Sequence, residues 1–145
     1  LQQCLRSQRA MRRFKHATLK GKGLGKIVDA VHISVRPPEV ADRAVPGHWE
    51  GDLIAGSGNS YIATLVEWHS RYVMLVKVAS NKTAAVISAL INQSKKLPDE
   101  LYKTLTWDRG CEMSNHKEFT LATDIQVYFC DPKSPWQRGS NENTN

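Results

Sequence analysis

His48-Trp-Glu-Gly-Asp-Leu-Ile-Ala55, Tyr61-Ile-Ala-Thr-Leu-Val-Glu-Trp68 and Tyr72-Val-Met-Leu-Val-Lys-Val-Ala79 are three runs rich in β-branched and aromatic residues. They are separated by Gly56-Ser-Gly-Asn59 and by His69-Ser-Arg71. Runs of this length bounded by turn residues read as strands. Their links are short, so the three strands are expected to form an antiparallel meander.

Beyond Asn81 the period changes. Val86, Ile87, Leu90 and Ile91 fall on one stripe of a helix that Thr83 would cap and that ends before Pro98. Lys103 to Trp107 then reads as a fourth strand, Asn115 to Ala122 as a short helix with Phe119 and Ala122 inward, and Ile125 to Cys130 as a fifth strand. Ser134-Pro-Trp-Gln137 carries the cap, first-turn proline and glutamine of another helix start. Gly139 disfavours a helix interior there, and a start at Ser140 is equally open. The order β-β-β-α-β-α-β-(α) describes an α/β fold, a mixed five-stranded sheet with helices on both faces and a truncated last helix. That is the arrangement of ribonuclease H-like domains. Topology of this kind says little about function.

Upstream the composition shifts. Residues 1–36 hold nine Lys and Arg against one acid, Asp29, a net +8; the other 109 residues hold eleven against thirteen, a net −2. Residues 1–36 therefore read as a basic arm or linker, helical in part, with a flexible Lys20-Gly-Lys-Gly-Leu-Gly25 run. Clustered positive charge repels itself unless a polyanion is present, most often nucleic acid and less often an anionic membrane, against a plain reading as a solvated charge run; on the nucleic-acid reading Arg12, Arg13, Lys15, Lys20 and Lys22 are candidate DNA contacts. Arg36-Pro-Pro-Glu39 and Val45-Pro-Gly47 mark residues 37–47 as a Pro-rich linker, leaving 48–145 as the folded core.

The chain of 145 residues is 41% hydrophobic and 23% charged, an ordinary globular mixture that excludes a wholly disordered, collagen-like or membrane-embedded protein. No apolar run approaches the roughly eighteen residues of a membrane span, and the amino end has no signal-like stretch, so a cytoplasmic protein is expected. Cys4, Cys111 and Cys130 are odd in number and widely spaced, which reads as reduced thiols. A chain that starts at Leu1 and stops at Asn145 inside a polar run reads as a fragment.

Three acids stand where acids are costly. Asp52 lies inside the first strand, followed directly by Leu53-Ile54; Asp108 ends the fourth, before Arg109-Gly110; Glu142 lies on or near the start of the last helix. If strands one and four are neighbours, Asp52 and Asp108 project into one place at a strand end, and Glu142 arrives alongside. Clustered carboxylates repel, and hard divalent cations with oxygen ligands relieve that repulsion. Two such ions about 3.5–4 Å apart suit in-line phosphoryl displacement. Taken singly, each acid also fits a plain structural role: a turn, a buried hydrogen bond, a helix surface. Only the combination points to chemistry.

The sequence Gly47-His-Trp-Glu-Gly-Asp-Leu-Ile54, Thr64-Leu-Val-Glu67 with Ser70-Arg71, Leu105-Thr-Trp-Asp-Arg-Gly110, and Val127-Tyr-Phe-Cys-Asp-Pro132 through Ser134-Pro-Trp-Gln-Arg-Gly-Ser-Asn-Glu-Asn-Thr-Asn145 resembles the catalytic core of bacterial DDE transposases of the insertion sequence thirty (IS thirty) family. The resemblance covers roughly residues 36–145. It implies a retroviral integrase-like core with Asp52, Asp108 and Glu142 as the catalytic, metal-holding acids. Thirty-three residues separate the last two, a gap similar to that of retroviral integrases. It also implies two Mg²⁺ ions, with Mn²⁺ as a substitute, cleavage at transposon ends, transfer of the 3′-hydroxyl into target DNA, and a homo-oligomer on double-stranded DNA. Family members begin with a helix-turn-helix region and continue the catalytic helix beyond the position of Asn145. Trp68-His69, Val35 and Cys111 depart from the usual pattern without removing a metal ligand.

Around the acids, Arg138 with Trp136 and Gln137 is expected to contact phosphate and stack on a base, against a plain reading as a surface loop with a packed Trp. His48 and Glu50 share a strand face with Asp52 and either support the metal-holding acids from behind or, the preferred reading, are satisfied structural groups; Arg109 either orients Asp108 or, the preferred reading, is solvated. His116, Glu112, Asp124 and Asp131 match no transition-metal spacing. Two competing classes fit the same residues: a non-catalytic DNA-binding remnant of a truncated transposase, and a cellular ribonuclease H-like nuclease. The first would bind DNA without nicking it, and the second would hydrolyse without strand transfer.

Overall fold

The computed structural model describes residues 27–41, 43–131 and 134–139. Arg12, Arg13, Lys15, Lys20, Lys22 and Glu142 lie outside the described residues. Strands β1 (His48–Ala55), β2 (Tyr61–Glu67), β3 (Val73–Val78), β4 (Thr104–Trp107) and β5 (Gln126–Phe129) form one sheet in the order β3-β2-β1-β4-β5. The β1–β2 and β2–β3 pairs are antiparallel, and β1–β4 and β4–β5 are parallel. This is the mixed sheet expected from the punctuation of the sequence, with every strand end within one residue of its expected place.

Alternation along the strands gives the sheet two unlike faces. One carries Trp49, Leu65, Val76, Leu105, Trp107, Val127 and Phe129, buried against Val86, Ile87 and Leu90 of α2 (Thr83–Ser94) and Phe119 of α3 (His116–Thr123). The other face carries His48, Glu50, Asp52, Thr64, Thr104 and Thr106. The short helix α1 (Pro38–Ala41) follows Arg36, whose guanidinium donates to Thr106 Oγ1 at 3.1 Å on that polar face. Residues 27–36, grouped with the basic arm by charge, run along the sheet. Ile27 and Ala30 pack against the core, Val31 O accepts from Phe129 N–H at 2.8 Å, and His32 forms a parallel bridge to Phe129. Net charge is blind to these contacts because they use backbone and the apolar residues between the cations.

Thr83 does not cap α2. Lys82 holds the capping position with no side-chain cap bond, while the Thr83 hydroxyl donates to Cys111 O at 2.9 Å and lies 3.0 Å from the Ser114 hydroxyl. A contact across the fold has taken the group that local pattern assigned to the helix end.

Glu67 explains why an acid closes β2. Its Oε1 accepts from Gly47 N–H at 3.1 Å, and its Oε2 accepts from the Ser70 N–H and hydroxyl, both at 2.6 Å. One carboxylate therefore shapes the β2–β3 turn and anchors the residue before β1. Gly47 has φ +105°, and a Cβ there would sit 2.9 Å from Glu100 O. Its carbonyl accepts from Lys103 N–H at 2.7 Å, which aligns the start of β4 with that of β1. Burial pushes the Glu67 pKa up, but the bonds from Ser70, His69 and Gly47 outweigh it and leave it below the ordinary 4.5.

Glu67→Gln replaces an acceptor with a group that also donates, so it is expected to lower stability at neutral pH by roughly 1–3 kcal/mol in urea titrations. A depressed carboxyl pKa contributes stability above its unfolded value and loses it as pH falls through the folded one, so the gap between the two proteins should close in acid. Gly51 is a second test. A Cβ built there would lie 2.1 Å from the Trp107 ring, so Gly51→Ala is expected to cost about 1–3 kcal/mol of unfolding free energy by overpacking.

Candidate active site

The β1–β4 register builds the site. His48, Trp49 and Glu50 pair with Thr104, Leu105 and Thr106. Continued by two residues, the same register sets Asp52 alongside Asp108, on the polar face of the sheet. Each carboxylate is pinned by backbone: Leu53 N–H donates to Asp52 Oδ1 and Gly110 N–H to Asp108 Oδ1, both at 2.9 Å. Side-chain exposure is 26% for Asp52 and 42% for Asp108, so both remain open to solvent.

Behind them sits Arg138. Its Nη1 lies 3.2 Å from Asp52 Oδ1 and donates to Gly51 O at 3.2 Å, while Nη2 lies 3.8 Å from Asp108 Oδ2. Its side chain is only 7% exposed. Burial opposes the charge on Arg138, yet the facing Asp52 and Asp108 carboxylates more than offset this and hold its pKa above the ordinary arginine value. The guanidinium thus stays charged and counters the repulsion between the two acids.

The segment carrying Arg138 is a 3₁₀ turn, Pro135–Arg138, in which Ser134 makes no side-chain cap bond, so the helix start expected at Ser134 is a single tight turn. Gln137 fixes that turn: its Oε1 accepts from Asp131 N–H at 2.7 Å and its Nε2 donates to Asp131 Oδ2 at 2.9 Å. Asp131 Oδ1 is in turn 2.6 Å from His32 Nε2. The His32 and then the Gln137 hydrogen bonds hold the Asp131 carboxyl below its usual range. Of the three residues expected at DNA, Arg138 is engaged with the acids and Gln137 with Asp131, while Trp136 is 73% exposed beside them.

A buried polar layer continues under Asp52. Glu50, fully buried, lies two residues earlier on the same face. Arg36 stacks over the Trp68 ring with its guanidinium carbon 4.4 Å from the centroid, and Arg43 approaches the same ring at 5.1 Å. Burial lowers the Arg36 pKa and the charge of Glu50 opposes that fall. His48 Nδ1 is 2.8 Å from Thr104 Oγ1; burial, followed by Lys103 and Arg36, holds His48 below its ordinary 6.5 and therefore neutral at pH 7. His48 is thus bonded across to β4, while Glu50 lies buried beneath Asp52. Arg36 went unsignalled, being one cation among nine in a basic segment. Arg109 donates through Nε to Cys130 O at 3.1 Å and staples the end of β4 to that of β5.

The other acids and His116 do separate work. Glu112 accepts from Trp107 Nε1 at 3.0 Å, His116 meets the Phe129 ring edge-on at 5.0 Å, and Asp124 closes α3 at φ 57°. Among the described residues, no three His, Cys, Asp or Glu side chains gather as a metal site. The pair Asp52 and Asp108 nonetheless suits a hard cation: two anchored, solvent-open carboxylates already hold a positive group between them.

Residues 42–135 match the family described as Integrase core domain. The chain belongs to that family. This integrase core is 48% identical over 144 residues to the transposase InsI for insertion sequence element IS30A of Escherichia coli K12, a match covering 99% of this chain and 38% of that protein. It is 49% identical over 143 residues to the transposase for insertion sequence element IS1086 of Cupriavidus metallidurans, covering 98% of this chain and 42% of the relative. The chain thus spans about two fifths of the length of these relatives. In structure, a chain of the simian T-cell lymphotropic virus intasome in complex with PP2A regulatory subunit B56 gamma superposes with a TM-score of 0.60 at 19% identity, over 70% of this chain and 38% of that one. That likeness bears on the fold, which is ribonuclease H-like as expected. No helix among the described residues is long and apolar enough to cross a membrane.

The integrity of the layer beneath the acids is testable. Arg36→Gln removes the ring stacking and the charge facing buried Glu50, and is expected to destabilise the fold by roughly 2–4 kcal/mol. The double variant Arg36→Gln with Glu50→Gln should recover part of that loss, measured as a double-mutant cycle in denaturant.

Proposed function

We propose that this integrase core is the catalytic part of a DNA transposase that cuts the ends of its element and joins the exposed 3′-hydroxyl to target DNA. The observation that carries the reading is the placement of Asp52, inside β1, alongside Asp108, just past the end of the parallel strand β4, both open to solvent and bridged by the Arg138 guanidinium. The identity to two insertion-sequence transposases over nearly the whole chain supports the same conclusion. Asp52, Asp108 and Glu142 are the proposed metal-holding acids. Two divalent ions, Mg²⁺ with Mn²⁺ as a substitute, would activate the attacking oxygen and stabilise the leaving oxygen of a phosphodiester. No covalent protein–DNA link is required, so the chain needs no serine or tyrosine nucleophile.

The protein's own residues supply position and charge. The backbone N–H groups of Leu53 and Gly110 fix one oxygen of each aspartate, so the acids present a preset pair to the reacting phosphate. Trp136, exposed beside them, offers a ring on which a base near the scissile bond can stack. Arg12, Arg13, Lys15, Lys20 and Lys22 would hold the duplex through its phosphates, with binding that weakens steeply as salt rises. Two element ends must meet one target, which a homo-oligomer assembled on double-stranded DNA would achieve.

The test uses the full-length protein with Asp52→Asn, Asp108→Asn and Glu142→Gln, assayed for end cleavage and strand transfer with Mg²⁺. Each is expected to reduce both reactions to the uncatalysed background while leaving DNA binding intact. Cleavage that survives in any of the three removes that acid from the assignment.

A further inference from the structure

Arg138 stands where a metal-bearing site would need its positive charge. It contacts both Asp52 and Asp108, and its side chain is almost wholly buried behind them. Guanidinium cannot give up its proton at any working pH, so it cannot make room for a second cation by becoming neutral. A divalent ion on the same two carboxylates would sit close to the guanidinium, and the two cations would repel each other. Movement of the arginine away from the acids relieves that repulsion. Arg138 ends a short 3₁₀ turn followed by Gly139, and the turn is tied to the end of β5 by the Gln137–Asp131 pair, so a shift of this turn would carry the guanidinium off the acids and off Gly51 O.

We propose that Arg138 is a positioning residue that serves as the counter-cation of the metal-free site, bridging Asp52 and Asp108 until a divalent ion displaces it. This rests on the proposed metal-dependent function and adds to it a latch built into the chain. In the absence of metal the latch keeps two like charges together and the site assembled. On metal binding the guanidinium is released from the carboxylates beside the exposed Trp136, where a DNA phosphate is the anion available to receive it. Metal and DNA then favour each other's binding because each takes one half of the same ion pair.

The proposal is tested by Mn²⁺ binding to the full-length protein without DNA, followed by titration calorimetry and by thermal unfolding with and without the ion. Arg138→Gln is expected to bind Mn²⁺ about tenfold more tightly than the parent, within the usual range for linked sites. It should also melt lower than the parent without metal and regain more stability on adding it. Arg138→Lys, which keeps the charge but not the two-pronged bridge, should fall between them and carries the test if the glutamine variant does not fold. Unchanged or weaker Mn²⁺ binding in the folded variants overturns the latch, whereas a purely structural arginine would lower the melting temperature and leave the affinity alone. Asp52→Asn should abolish the binding being measured. If neither the parent nor any Arg138 variant binds Mn²⁺, or if binding survives Asp52→Asn unchanged, the metal-dependent function itself fails and the latch falls with it.

Discussion

Asp52 and Asp108 repel each other, and the parallel pairing of β1 with β4 holds them together all the same. The sheet imposes this proximity through a register set in the residues just before the acids, at His48 to Glu50 against Thr104 to Thr106. The start of that register is secured by Gly47, whose carbonyl accepts from Lys103 N–H and whose own N–H is bound by Glu67. A chain of main-chain bonds therefore does work against electrostatics, and Arg138 meets the remaining cost from within the protein. Remove any of these and the two carboxylates lose either their alignment or their compensation.

The two faces of the sheet divide the labour. The apolar face, closed by α2 and α3, supplies the burial that makes the fold stable, and Trp107 lies so close over Gly51 that no side chain fits there. The polar face holds charge inside the protein. Glu50, His48 and Arg138 are buried there and Arg36 partly so, and such groups are tolerated only when each finds a partner. The same strand residues that alternate into the core thus place their neighbours in the site, so stability and chemistry are coupled one residue apart along β1.

Much of this was legible in the chain because it is governed by local rules. Turn residues at Gly56 to Asn59 and at His69 to Arg71 delimit strands, and an aspartate inside the apolar run of β1 is conspicuous because burying it is costly. The pairing of the acids follows from strands one and four being neighbours. The local surroundings of Arg138, Trp136 and Gln137, suit a nucleic-acid loop, whereas its carboxylate partners lie 86 and 30 residues away in sequence and no spacing announces them. Thr83 has the local pattern of a helix cap, yet its hydroxyl donates to the loop after β4. Residues 27–36 looked like linker since charge dominates their composition, whereas Ile27, Val31 and His32 bind the sheet through groups that carry no net charge at neutral pH or belong to the backbone.

The sequence by itself determined the order of elements, the two faces of each strand and which acids stand at strand ends, because periodicity and turn chemistry act over a few residues. Tertiary structure alone decided that Glu67 is a turn clamp, that Arg36 stacks on Trp68 and donates to Thr106, and that Arg138 bridges Asp52 and Asp108. The physical reason is that a charged side chain takes its role from whichever opposite charge or acceptor the fold brings within a few ångströms, and that distance is set by the packing of the whole sheet.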